Sequence, residues 1–312
     1  MSLSRSPLPR SLQHVAVLTN HPFSAPLLEA AAGRVQSLSV AVMDEGELVT
    51  GAMELLGLAG PVTSLRKPGR SWKAALREWL RSVGPDVLWV ISFPGRLPAD
   101  ILGMPPAGCW NFHLGPLPEY RGADPVFWQI RNGEARGALS VHQMEASLDT
   151  GPLFRSYPVP IGPETTFGTH LRDLGRMAAR AGKDLLHEWS PSGYRPLSPQ
   201  AAEGVRTWPR PGLEDQVIEW ASMSAREIDR LVRAGNPVYG GAKVACSGEV
   251  IQILAAAPLD RKSGAAPGTV TGLSAAGLDV ACAGKSTLSL QVIGTREGLF
   301  HGPTWARLQA LQ

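Results

Sequence analysis

The chain has 312 residues, 44% of them hydrophobic and 18% charged, and a formal net charge of +3. That balance excludes intrinsic disorder as the default and supplies enough apolar material for two cores, while the charge is too small to name an anionic partner. Cys109, Cys246 and Cys282 lack paired spacing, which argues against a disulfide framework or a zinc site and for reduced thiols in a cytoplasm. No secretory signal core is found, and no apolar run is long enough to span a membrane.

Residues 1–13 read as a flexible leader. Residues 15–19 are expected to form a buried strand, followed by a helix over 25–32 and a second strand over 38–42. Asp44, Glu45, Glu47 and Glu54 then make the next segment an acidic loop. Trp72, Leu76, Trp79 and Leu80 recur at helical spacing and predict a helix over 72–83, with a strand following over 86–92. Further strands are expected over 109–113 and 138–144, and a long amphipathic helix over 165–189 with Leu171, Leu174, Met177, Ala178 and Leu185 inward.

This alternation predicts an α/β, Rossmann-like, mainly parallel sheet with helices on both faces, whose ligand site lies beyond the C-terminal strand ends. No Gly-x-Gly-x-x-Gly fingerprint follows the first strand, so a dinucleotide is not indicated. Residues 14–189 are read as a catalytic domain and the Pro- and Ser-containing residues 190–212 as a linker. Residues 213–312 are read as a smaller domain with a helix over 224–234 and short strands at 243–246, 250–255, 268–270, 278–281 and 288–292. The sequence carries no signal for an oligomeric state.

The chemistry concentrates between Asn111 and Gly151. Asn111 and His113 are two apart, so on a strand they leave the same face, and Asp149 follows after a Pro/Gly-containing loop and another strand. An amide can donate to a developing oxyanion, an imidazole can move a proton near neutral pH, and a carboxylate can orient that imidazole. Asn111, His113 and Asp149 are therefore the expected catalytic residues.

The pattern Asn-x-His, then Leu-Pro-x-Tyr-Arg-Gly-x-x-Pro from Leu117, then Asp-x-Gly at Asp149, resembles the folate-dependent formyltransferases. Pro85-Asp86-Val87-Leu88, Glu219-Trp220 and residues 226–234 extend the likeness to both halves of the chain. The resemblance implies 10-formyltetrahydrofolate as formyl donor, no metal, and an OB-like β-barrel for the second domain. It also implies a pterin slot in which Phe93, Leu97, Gln143 and Leu148 contact the cofactor, although Phe93-Pro94-Gly95-Arg96-Leu97-Pro98 replaces the family's Tyr-Gly-x-x-Leu-Pro element. Tyr120, Arg121 and Gly122 are expected to build their loop, Trp110 and Trp128 to pack, and His142 to be structural.

Two acceptor classes fit the resemblance. Methionyl-tRNA requires a surface that holds phosphates. Residues 210–312 contain ten Lys plus Arg against nine Asp plus Glu, and the early acidic segment stands where tRNA enzymes carry a basic insertion. The junction from Trp208 to Asp215 resembles that of aminosugar-nucleotide enzymes. The expectation is therefore a small-molecule amine, an amino sugar nucleotide or an amino-acid-derived metabolite, with methionyl-tRNA as the alternative. Hydrolysis of 10-formyltetrahydrofolate is the second alternative, because the same trio can activate water.

Overall fold

A computed structural model of the chain describes residues 9–43, 46–58, 60–66, 69, 71–190, 192–194, 197–246 and 248–309. The first half runs β1 (His14–Leu18), α1 (Ala25–Ala32), β2 (Ser37–Val42), α2 (Glu47–Leu55), β3 (Val62–Ser64), α3 (Trp72–Val83), β4 (Val87–Val90), α4 (Ala99–Leu102) and β5 (Cys109–His113). It continues with β6 (Arg121–Gly122), α5 (Pro125–Asn132), β7 (Arg136–Gln143), β8 (Leu153–Pro160), α6 (Phe167–Glu188) and β9 (Thr207–Trp208). Seven strands form one sheet in the order β3-β2-β1-β4-β5-β7-β8. The pairings from β3 through β5 are parallel, and β7 lies antiparallel to β5.

Every residue of β4 is buried, because this central strand is covered on both faces. Leu88 and Val90 face one side and pack with Ala75, Leu76, Trp79 and Leu80 of α3. Trp89 faces the other side, where a Cβ placed at Gly182 of α6 would come within 2.6 Å of Leu27 on α1 and 3.2 Å of the Trp89 ring. Helices thus clothe both faces, as the α/β alternation predicts.

The chain divides into two compact units that do not follow chain order. One comprises Met1–Gly122, Ala138–Val159 and Leu171–Thr207; the other comprises Ala123–Gly137, Pro160–His170 and Trp208–Gln312. In the second unit, α7 (Ala225–Gly235) is followed by β10 (Ala242–Cys246), β11 (Glu249–Leu259), β12 (Val270–Leu273), β13 (Leu278–Ala281), β14 (Thr287–Thr295), β15 (Gly298–His301) and α8 (Gly302–Gln309). The strands make a six-stranded sheet in the order β10-β11-β14-β13-β12, with β15 also on β14, and every pairing is antiparallel. The smaller domain is therefore an antiparallel β domain. Ser224 opens α7 with a capping box, its side chain accepting from the Glu227 N–H while Glu227 accepts from the Ser224 N–H.

Some local expectations change. Glu47 and Glu54 lie on α2 and not in an acidic loop, since Val49 and Met53, four apart, bury one side of a helix there. Asp44 and Glu45 lie outside the described residues, as does most of the leader. Among the described residues no helix is long and apolar enough to cross a membrane.

Candidate active site

Strand β5 sets the site. Asn111 pairs across to Val90 on β4 and His142 on β7, while His113 pairs with Ser140. Phe112 between them points to the opposite face, against Trp89. Beyond β5 the chain turns back over residues 114–120, held by Ser140: its hydroxyl donates to the Gly115 carbonyl at 2.8 Å and accepts from the Leu117 N–H at 3.3 Å. That turn brings the Tyr120 carbonyl 2.6 Å from His113 Nε2. A carbonyl only accepts, so Nε2 carries the proton and the neutral ring keeps its lone pair on Nδ1. Nδ1 lies 3.7 Å from Asp149 Oδ1.

Asp149 sits at φ +54°, in the left-handed region that a non-glycine residue occupies at a cost. Several contacts hold it there. Its Oδ2 accepts from the Gly122 N–H at 2.9 Å and its Oδ1 from Asn111 Nδ2 at 3.3 Å. Gln200 Nε2 donates to the carbonyls of Asp149 and Gly151 at 2.8 and 2.9 Å, and Gln200 Oε1 accepts from Arg121 Nε and Nη2. Gly151 is required sterically, because a Cβ there would fall 1.8 Å from the Gln143 carbonyl oxygen.

Burial shapes the electrostatics. Burial pushes the His113 imidazole below its ordinary value, and the Asp149 charge and Tyr120 carbonyl return only part of that shift. For Asp149 burial pushes upward, but the His142 and His113 rings in their protonated forms, together with the Gly122 N–H, outweigh it and bring the carboxyl to about 2. The pair is thus a carboxylate beside a neutral imidazole near neutral pH.

A cavity of about 70 Å³ opens on this cluster, with Asn111, His142 and Asp149 on one wall and Phe93, Leu97, Met144 and Leu148 among its apolar lining. A Cβ at Gly95 would strike the rings of Trp72 and Phe93, so the loop after β4 lies flat against aromatic surface. The cavity thus sets apolar walls beside an amide and a carboxylate. Phe93, Leu97 and Leu148 line this cavity. Gln143 lines a separate pocket with Trp110 and Tyr194, because its side chain leaves β7 on the face opposite to that of His142. Among the described residues no group of three His, Cys, Asp or Glu side chains is placed to hold a metal.

Two polar residues outside the expected trio join the site. His142 Nε2 lies 3.2 Å from Asn111 Nδ2 and 3.6 Å from Asp149 Oδ1. Its strand position two residues after Ser140 was a usable signal. Gln200 comes from residues read as a linker, and no local pattern marks it.

The chain matches the family described as formyl transferase over residues 11–181, and that family's C-terminal domain over 213–298. A methionyl-tRNA formyltransferase of Stenotrophomonas maltophilia is 36% identical over 229 residues, covering 72% of each chain. One of Xanthomonas campestris is 37% identical over 70% of each. Among solved structures, HypX of Aquifex aeolicus in complex with tetrahydrofolic acid superposes with a TM-score of 0.67 at 14% identity, over 95% of this chain. At 14% identity that likeness shows the fold alone, and the present chain spans 47% of HypX. The chain belongs to the formyl transferase family and is a folate-dependent N-formyltransferase.

The expected small-molecule acceptor is overturned by these relatives, which share both length and identity with the chain and are named for methionyl-tRNA. Net charge misled because phosphate binding depends on where cations stand and not on their sum over a domain.

Proposed function

We propose that this formyltransferase moves the formyl group of 10-formyltetrahydrofolate onto the α-amine of methionyl-tRNA. The observation that carries the acceptor is the relationship to methionyl-tRNA formyltransferases at 36% identity over 72% of both chains. On this reading the C-terminal sheet is an OB-like domain, the working compartment is the cytoplasm, and residues 14–189 and 213–312 act as the catalytic and accessory domains joined by residues 190–212.

Phe93, Leu97 and Leu148 would cover the pterin ring in the cleft, with Gln143 contributing through its backbone. The bound folate supplies the formyl carbon at which the amine attacks. Asn111 donates an N–H to the formyl oxygen as negative charge develops there. The amine must lose a proton, and the Asp149–His113 pair is arranged to take it: Nδ1 holds the free lone pair, and the neighbouring carboxylate stabilises the imidazolium that results. Handing that proton to the departing folate nitrogen restores the starting state.

The test is a turnover assay with 10-formyltetrahydrofolate, comparing initiator methionyl-tRNA with amino sugars and amino acids at matched ionic strength. Formyl-methionyl-tRNA as the preferred product supports the reading. Formate release independent of any acceptor would instead make the chain a hydrolase.

A further inference from the structure

His142 is buried on β7, and both of its ring nitrogens face polar atoms. Nδ1 is 3.0 Å from the Gln143 carbonyl. Because that oxygen can only accept, the neutral ring carries its proton on Nδ1 and presents a lone pair at Nε2. The lone pair faces Asn111 Nδ2 at 3.2 Å, and the same nitrogen is 3.3 Å from Asp149 Oδ1. The two acceptors are 3.6 Å apart. Seen from Nδ2 they subtend an angle far smaller than the ~120° between the two hydrogens of a planar amide. Both acceptors therefore lie within reach of a single N–H in a three-centre bond, an arrangement that leaves the other N–H free to point elsewhere.

We propose that His142 is a positioning residue: with Asp149 it holds one N–H of Asn111, so that the second N–H faces the cleft as the oxyanion donor. This rests on the formyl-transfer reading of the site. The orientation depends on the lone pair at Nε2. With a proton at that nitrogen the ring would donate to Asp149 and repel the amide hydrogens, and Asn111 would settle with its carbonyl oxygen in place of its nitrogen. That group cannot stabilise an oxyanion. Asp149, His113, and the Glu145 and Arg96 side chains of the cavity wall are the charged or titratable groups around this contact.

Two measurements test the proposal. In a folded, isotope-labelled protein, nitrogen-detected spectra of His142 should show Nδ1–H as the tautomer of its neutral ring. The side-chain amide resonances of Asn111 should shift in His142→Leu. An Nε2–H tautomer would overturn the proposal whether or not any acceptor is turned over. In the formylation assay, His142→Leu should lower kcat about tenfold with KM nearly unchanged, as expected for a mis-aimed oxyanion donor. His142→Gln, whose side-chain oxygen can still accept, should restore most of the loss. In an Asn111→Ala background the His142→Leu loss should vanish, because the residue it orients is gone. Equal losses in both backgrounds would overturn the proposal, because His142 would then act independently of Asn111. A wild-type chain inactive on methionyl-tRNA would count against the acceptor reading alone.

Discussion

On the proposed mechanism the Asp149–His113 pair ties rate to pH through two buried groups. His113 titrates below its ordinary value of 6.5, and only its neutral form accepts a proton. kcat/KM should therefore fall with decreasing pH through a midpoint below 6.5. A pH–rate profile with its acid limb above neutrality would contradict this. Stability carries the same signs. The neutral, buried His113 contributes fully above 6.5 and is lost as pH falls through its lower folded value. Asp149, at about 2 against an ordinary 3.8, contributes above 3.8 and is lost as pH falls towards 2. Asn111→Ala and Asp149→Asn should each reduce kcat by about two orders of magnitude, the scale of a lost oxyanion donor or proton-transfer partner. A cooperative melt should persist in both; near-normal turnover would make these residues structural.

At the scale of elements, the turn after β7 and the start of α7 make contrasting demands. A methyl group at residue 151 must displace the end of β7, so Gly151→Ala should destabilise by about 1–3 kcal/mol in urea unfolding. It should also abolish turnover, since Asp149 is held by the same turn. An unfolding midpoint equal to wild type would show that the turn relaxes. Ser224→Ala removes the acceptor of a capping box and should cost about 1 kcal/mol in the same assay. The sequence made α3 plain, since its inward positions Leu76, Trp79 and Leu80 recur at helical spacing and are buried. It hid α2, whose stabilising side is only Val49 and Met53. It also hid α5, although Pro125 at its first position and Gly133 at its end are usable start and stop signals.

At the scale of the whole molecule, the acceptor is a question of surface. If methionyl-tRNA is held by its phosphates, kcat/KM for it should fall by about tenfold or more between roughly 50 and 200 mM salt. The KM for the folate donor should change much less, and a flat salt response would argue against a polyanionic acceptor. Composition could not decide this, because a near-neutral domain can still carry an ordered basic stripe.

The sequence by itself determined the reaction class, the alternating α/β core and the grouping of Asn111 with His113. The core and the grouping rest on local rules, the period of a strand and the spacing of apolar residues, whereas the reaction class rests on the resemblance of the Asn-x-His, Leu-Pro-x-Tyr-Arg-Gly and Asp-x-Gly motifs to the formyltransferases. Tertiary structure alone decided that the Tyr120 carbonyl fixes the His113 tautomer and that His142 touches Asn111. It also decided that Gln200, 51 residues beyond Asp149, latches the turn that carries the carboxylate. Those are contacts between segments distant in the chain, whose registers are set by how strands pair and loops fold back, and no local pattern encodes them.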